Sequence, residues 1–358
     1  MISLAKKIVR LLMVFSLYMV LPFSCIDKLD FVDDTQEVQL VIYGLLTDSN
    51  ERQIVSVTRT SAFGFDPTGV MDAKVTLLTA SGARFRYFHT GHGEYILEGF
   101  AAKEEESYAI EVVLEGKVYM SNYEKIPELL ADDEISFEFN KEPFRTESPE
   151  SVFTVSSETK LPDAADPIYL RWMVEETYFW PLLHLPGTGF PPPPPPPCFI
   201  SDVIEPNRIN LFDGSGTSSR KGNFVLAKRV VDNSFLYPFF VSVKQLSINR
   251  EAYEYWEKIK IVVNNQGSLF DIPPASVIGN ISNVEDQNEI VLGYFEVAKS
   301  KVTRIYTTRA DVPFSLVDPC QYFQHIPDDA YPSECKSCDV RANGRKWTNN
   351  APDWWKFD

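Results

Sequence analysis

The chain has 358 residues, of which 44% are hydrophobic and 13% aromatic, enough to bury a substantial core and to exclude a wholly disordered protein. Its 50 acidic residues outweigh 34 basic ones for a net charge of -16, which argues against nucleic acid or a bare anionic membrane as a partner.

Residues 1–24 have the layout of an export signal: Lys6, Lys7 and Arg10, an apolar run, then the small residue Ser24 before Cys25. The apolar stretch Leu11–Phe23 is 13 residues long, short of the ~20 that a spanning helix needs. Ser24-Cys25 suits signal peptidase II, so Cys25 is expected to become the lipid-bearing N-terminus and anchor the chain to a bilayer. Pro22 stands where a lipobox usually has leucine, with Leu21 one step out of register. Residues 25–36 follow as an acidic tether with Asp27, Asp30, Asp33 and Asp34. It reads as a solvated linker, and acidic residues just behind a lipid cysteine also resemble the surface-export signal of Bacteroidota lipoproteins.

The fold class expected of the remainder is mainly β. Over residues 37–126 hydrophobicity alternates with a period of two in Val38–Tyr43, Ile54–Thr58, Lys74–Leu78, Phe85–Phe88 and Tyr108–Leu114, with turn residues such as Ser81-Gly82 and Gly116-Lys117 between. Short strands without a convincing helix predict an N-terminal immunoglobulin-like or transthyretin-like β-sandwich. Residues 126–149, with Asp132-Asp133-Glu134 and two prolines, read as the passage into a larger β-rich domain over 127–358. Its strands are expected at 153–157, 168–179, 224–231, 239–243, 290–297 and 302–308.

One amphipathic helix is expected at about 249–266, because Ala252, Tyr255, Trp256, Ile259, Val262 and Val263 share a face. Asn249 can cap its start and Gly267 end it. Such a helix among strands should pack on a sheet or plug a barrel end. The Pro-rich stretch 181–197, with seven prolines at 191–197, cannot join a ladder and predicts an exposed polyproline excursion between strands.

With Cys25 lipidated, Cys198, Cys320, Cys335 and Cys338 remain, an even number in an exported chain, which predicts two disulfides. Of three pairings, Cys320–Cys335 with Cys198–Cys338 is preferred, because a bridge inside CxxC is more typical of redox sites than of staples. These bonds would tie the strand-poor tail 318–358 to the second domain. A zinc site would want two CxxC pairs, and a Cys335-Lys336-Ser337-Cys338 redox centre a following helix. With four histidines and no GxSxG, HExxH or Gly-rich phosphate loop, the sequence points to no catalytic residue, metal or cofactor, and His89-Thr90-Gly91-His92 sits at a hairpin. Trp180, Trp354 and Trp355 are the aromatics nominated for a ligand or partner, against the blander reading that they pack in the core.

Several blocks taken together resemble the Bacteroidota lipoproteins grouped as domain-of-unknown-function family 4249. They are Leu246-Ser247-Ile248-Asn249-Arg250-Glu251-Ala252-Tyr253-Glu254-Tyr255-Trp256, Phe270-Asp271-Ile272-Pro273-Pro274-Ala275, Gly279-Asn280-Ile281 and Val291-Leu292-Gly293-Tyr294-Phe295. Val41-Ile42-Tyr43-Gly44, Gly93-Glu94-Tyr95, Cys335-Lys336-Ser337-Cys338 and Pro352-Asp353-Trp354-Trp355 extend the likeness. The resemblance implies an outer-membrane lipoprotein encoded beside a SusC-type TonB-dependent transporter, hence a non-enzymatic accessory in nutrient uptake exposed at the cell surface. A structural, adhesive or envelope-assembly scaffold is the alternative.

Overall fold

The computed structural model describes residues 38–61, 66–163, 167–184, 193–215, 220–264 and 276–356. The leader, Cys25 and the tether lie outside them. The first strands are β1 (Leu40–Thr47), β2 (Gln53–Arg59), β3 (Thr68–Gly69), β4 (Lys74–Thr79), β5 (Arg84–Arg86), β6 (Phe88–Gly91) and β7 (Glu94–Leu97). Next come β8 (Ser107–Leu114), β9 (Lys117–Ser121), β10 (Glu124–Lys125), β11 (Asp132–Pro143), β12 (Pro149–Lys160), β13 (Tyr169–Trp180), β14 (Cys198–Val203) and β15 (Asn210–Asp213). The series closes with β16 (Lys221–Val230), β17 (Phe239–Ile248), β18 (Ile281–Asn283), β19 (Val291–Leu292), β20 (Phe295–Thr307) and β21 (Lys346–Thr348).

Twelve of these strands form one sheet whose main path runs β21-β14-β13-β17-β20-β1-β2-β7-β6. Alternation gives each of its strands two different faces. One face is covered twice. At the β1 end, Ile42, Val55, Val57, Phe295 and Val297 pack against Val75, Leu77, Tyr108 and Ile110 of the sheet β18-β9-β8-β4-β5. At the β13 end, Leu170, Trp172, Val174, Phe239, Val241 and Val243 pack against Phe153, Val155 and Leu226 of the sheet β11-β12-β16. Each fully buried large side chain contributes about 1.5–3 kcal/mol, so these two cores supply most of the driving force.

The N-terminal layers are not completed by residues 37–126. Parallel pairing of β1 with β19 and β20 and antiparallel pairing of β9 with β18 bring in chain from beyond residue 280. A free-standing immunoglobulin-like or transthyretin-like module is therefore not what forms. An unpaired β1 would leave a row of backbone groups open, and β20 satisfies them. Residues 38–358 make one compact unit, and the large sheet crosses the boundary expected near Ile126.

The expected passage at 126–149 is the other correction. Asp132–Pro143 pairs with β12 along its whole length, from Asp132↔Lys160 to Pro143↔Pro149. Ile135, Phe137 and Phe139 point at the core while Asp132, Glu134 and Glu138 alternate outward, and Asp133 on the inner face accepts from the Thr159 hydroxyl and the Trp172 indole N–H. The separate strands expected at 290–297 and 302–308 are mostly one, β20, and Phe85–Phe88 is split at buried Tyr87 into β5 and β6.

The helix is Arg250–Asn264, and the Asn249 side-chain oxygen accepts from the Ala252 N–H at 2.7 Å, an N-cap. Its expected end at Gln266-Gly267, like Phe270–Ala275, lies outside the described residues. Of the proline run, residues 193–197 are described; they form no strand and lead into β14.

Disulfides join Cys198 to Cys338 and Cys320 to Cys335. A five-residue helix, Cys338–Ala342, does follow the CxxC, contrary to expectation, but both sulfurs are bonded elsewhere. β21 then adds the tail to the sheet beside β14.

Candidate functional site: a stoppered half-barrel

The second face of the large sheet is concave, and the register shows which residues it carries. Lys346 lies opposite Ser201 at one end of the sheet, and Glu94 opposite Ser56 near the other. Lys346 Nζ and Glu94 Oε1 are 3.5 Å apart, so the sheet curls until its two ends nearly meet. The result is a half-barrel with a helix and a trough inside.

The helix stoppers one end. Ala252, Tyr255 and Trp256 pack on Leu246, Ile248, Tyr294 and Ala298, with Leu45 and Met173 at the margin. Beneath it Arg171 and Glu296, both almost fully buried, form an ion pair at 2.8 Å. Arg171 also donates to the Tyr43 hydroxyl at 2.9 Å, its guanidinium lies 4.1 Å from the centre of the Trp256 ring, and the Trp256 indole N–H donates to Glu296. Burial pushes the Tyr43 phenol up to about 12, although Arg171 opposes it, so Tyr43 stays protonated. Burial disfavours a charged Arg171, but Glu296 and Tyr43 outweigh it and hold the guanidinium above its ordinary value.

A second buried carboxylate fixes the seam. Glu124 accepts from Asn280 at 2.9 Å, from Tyr294 at 3.0 Å and from the Asn249 amide. Asn280 also exchanges two bonds with the Phe295 backbone, at 2.8 and 2.9 Å, substituting a side chain for a strand partner. Gly279 and Gly293 permit this approach: a Cβ on Gly279 would fall 1.7 Å from the Gly293 carbonyl oxygen, and one on Gly293 1.9 Å from that of Ile42.

Burial raises the Glu124 carboxyl above the ordinary glutamate range against the pull of its three donors. The native state then binds the proton more tightly than the unfolded chain. Glu124's contribution to stability therefore falls as pH rises from the ordinary glutamate value of about 4.3 through the raised one. Calorimetry between about pH 4 and pH 7 is expected to show Glu124→Gln gaining on the wild type as pH rises. Parallel curves would contradict this.

Between the helix and the tail lies a cavity of about 410 Å³, within the range of small-ligand sites. Leu45, Met173 and Val302 give its floor next to the helix; Glu175, Thr177, Ser201, Ser242, Lys244 and Arg304 give polar walls, with Trp354 at the far end. Glu51 reaches Lys244 at 3.0 Å and Arg304 at 4.0 Å. Two cations thus share one carboxylate. Glu175 is exposed and has no ion-pair partner among the described residues.

Over residues 26–304 the chain matches the family described as Domain of unknown function (DUF4249). The chain belongs to this family. No curated protein matches the chain. In this DUF4249 member the blocks around Asn249–Trp256, Gly279–Ile281 and Gly293–Phe295 meet at the two buried carboxylates, where they act as fold elements. The match ends at Arg304, so three of the bonded cysteines and two of the three nominated tryptophans, Trp354 and Trp355, lie after it.

The nominated tryptophans separate. Trp180 is in the core, donating to the Glu334 carbonyl at 3.0 Å beneath the Arg341 guanidinium, which leaves it no free surface. Trp355 packs on Phe199 and Phe240. Trp354 alone lines the trough, and Arg304 already lies 4.7 Å from its ring centre. Glu175, Lys244 and Arg304 were not singled out from sequence, since isolated charges on strands read as solvated. The available signal was the polar-apolar-polar alternation Ser242-Val243-Lys244 on β17; around Glu175 the neighbouring Glu176 hides any such pattern.

Proposed function

We propose that this DUF4249 protein is an exported lipoprotein, anchored through Cys25 in the outer membrane and exposed at the cell surface. There it serves as a non-enzymatic accessory of a SusC-type TonB-dependent transporter, holding a nutrient in the half-barrel. The trough is the observation that carries this reading: a pre-formed concavity with convergent polar groups suits a binding protein. Two disulfides fit a chain that folds in an oxidising compartment. The transporter and the Bacteroidota setting come from the resemblance of the sequence blocks.

Labelled palmitate fed to cells expressing the full chain should enter the wild type and not Cys25→Ser, and protease added to intact cells should cleave the wild type. A protein that takes up no label and is protected from protease would instead fit a periplasmic scaffold, with no anchor and no surface role.

A further inference from the structure

We propose that the trough takes a short zwitterion, a peptide of two or three residues, with its ammonium group at Glu175 and its carboxylate at Arg304 and Lys244. This deepens the binding role above and rests on the trough being the binding site.

The register sets the charges apart. Glu175 lies opposite Ser242, and Ser242 opposite Arg304, so the carboxylate and the guanidinium stand on strands flanking β17. Two inter-strand steps of about 4.8 Å separate their backbones by about 10 Å. An extended chain gains about 3.3–3.6 Å per residue, so two or three residues span the gap.

The charges at the two sides are unmatched in opposite senses. Glu51 is shared by Lys244 and Arg304, leaving one positive charge over on that side, while Glu175 leaves one negative charge on the other. Between them the Ser242 hydroxyl is offered to a peptide bond, and the floor of Leu45, Met173 and Val302 offers apolar surface to side chains. A sugar fits less well. Stacking needs a free aromatic face, and Arg304 already lies 4.7 Å from the centre of the Trp354 ring, whose other close contact, with Phe240, is edge-on.

Isothermal titration of the folded, disulfide-bonded protein with dialanine and trialanine, free alanine, N-acetyl-dialanine, dialanine amide and maltotriose tests this directly. Dialanine or trialanine should bind, and acetylation or amidation should each weaken binding about tenfold or more. Glu175→Gln, an exposed substitution that leaves the core untouched, should weaken dialanine about tenfold while leaving N-acetyl-dialanine unchanged. Absence of heat with every peptide, tighter binding of maltotriose, or a Glu175→Gln variant that binds dialanine like the wild type would overturn the proposal. Transporter co-purification is read separately, so a failed ligand class and a failed accessory role are distinguishable.

Discussion

Arg171→Ala is expected to lower the unfolding free energy by about 3–5 kcal/mol, the cost of leaving one member of a buried ion pair without its partner. Glu296 is 1% exposed, and without Arg171 its charge keeps only the Trp256 indole N–H as donor among the contacts of this node. Tyr43 loses its donor and Trp256 its cation in the same step. The double variant Arg171→Met with Glu296→Leu should recover most of the loss, because replacing a whole buried pair with apolar side chains is often neutral or stabilising. Urea denaturation of the two variants decides the point. A double variant as unstable as Arg171→Ala would mean that the pair positions the helix in a way apolar packing does not reproduce.

Removing the Cys198–Cys338 bond, by alanine at both positions, should cost about 5 kcal/mol on the chain-entropy estimate for a loop of 140 residues. Removing Cys320–Cys335, with a separation of 15, should cost about 3 kcal/mol. The longer loop matters structurally as well, since Cys338 begins the turn of helix that leads into β21 and on to Trp354 and Trp355. Trp355 sits 4.4 Å from Phe240, centre to centre, so release of the tail should also change tryptophan emission before global unfolding. Denaturation curves for the two paired variants should fall in the order given. Equal losses would show that the tail is held by its contacts with Trp180 and β14 and not by loop closure.

How much of this was legible in the sequence depends on the range of the interaction. Period-two alternation located β1, β2, β4 and β8, because each has one face in a core. The helix stood out for the same reason at a different period, and Asn249 announced its cap. β11 was hidden because Asp132-Asp133-Glu134 outweighs the single apolar stripe Ile135, Phe137, Phe139 of an edge strand. The half-barrel was not legible at all. It depends on β1 meeting β20 and on Lys346 meeting Glu94, partners some 250 residues apart, and no local pattern encodes such a pairing. Blocks such as Gly279-Asn280-Ile281 stood in the sequence only as marks of a family resemblance, and the structure gives them a local reason: two backbones too close for a side chain, with Asn280 bridging them.

The accessory role is tested most directly by purifying the tagged full chain, Cys25 intact, from membranes solubilised in mild detergent and identifying what accompanies it by mass spectrometry. The account predicts a TonB-dependent β-barrel transporter in near-equal amount, lost when Cys25→Ser releases the protein from the membrane. Recovery of the lipidated chain with no transporter, or with envelope-assembly components in its place, would contradict it.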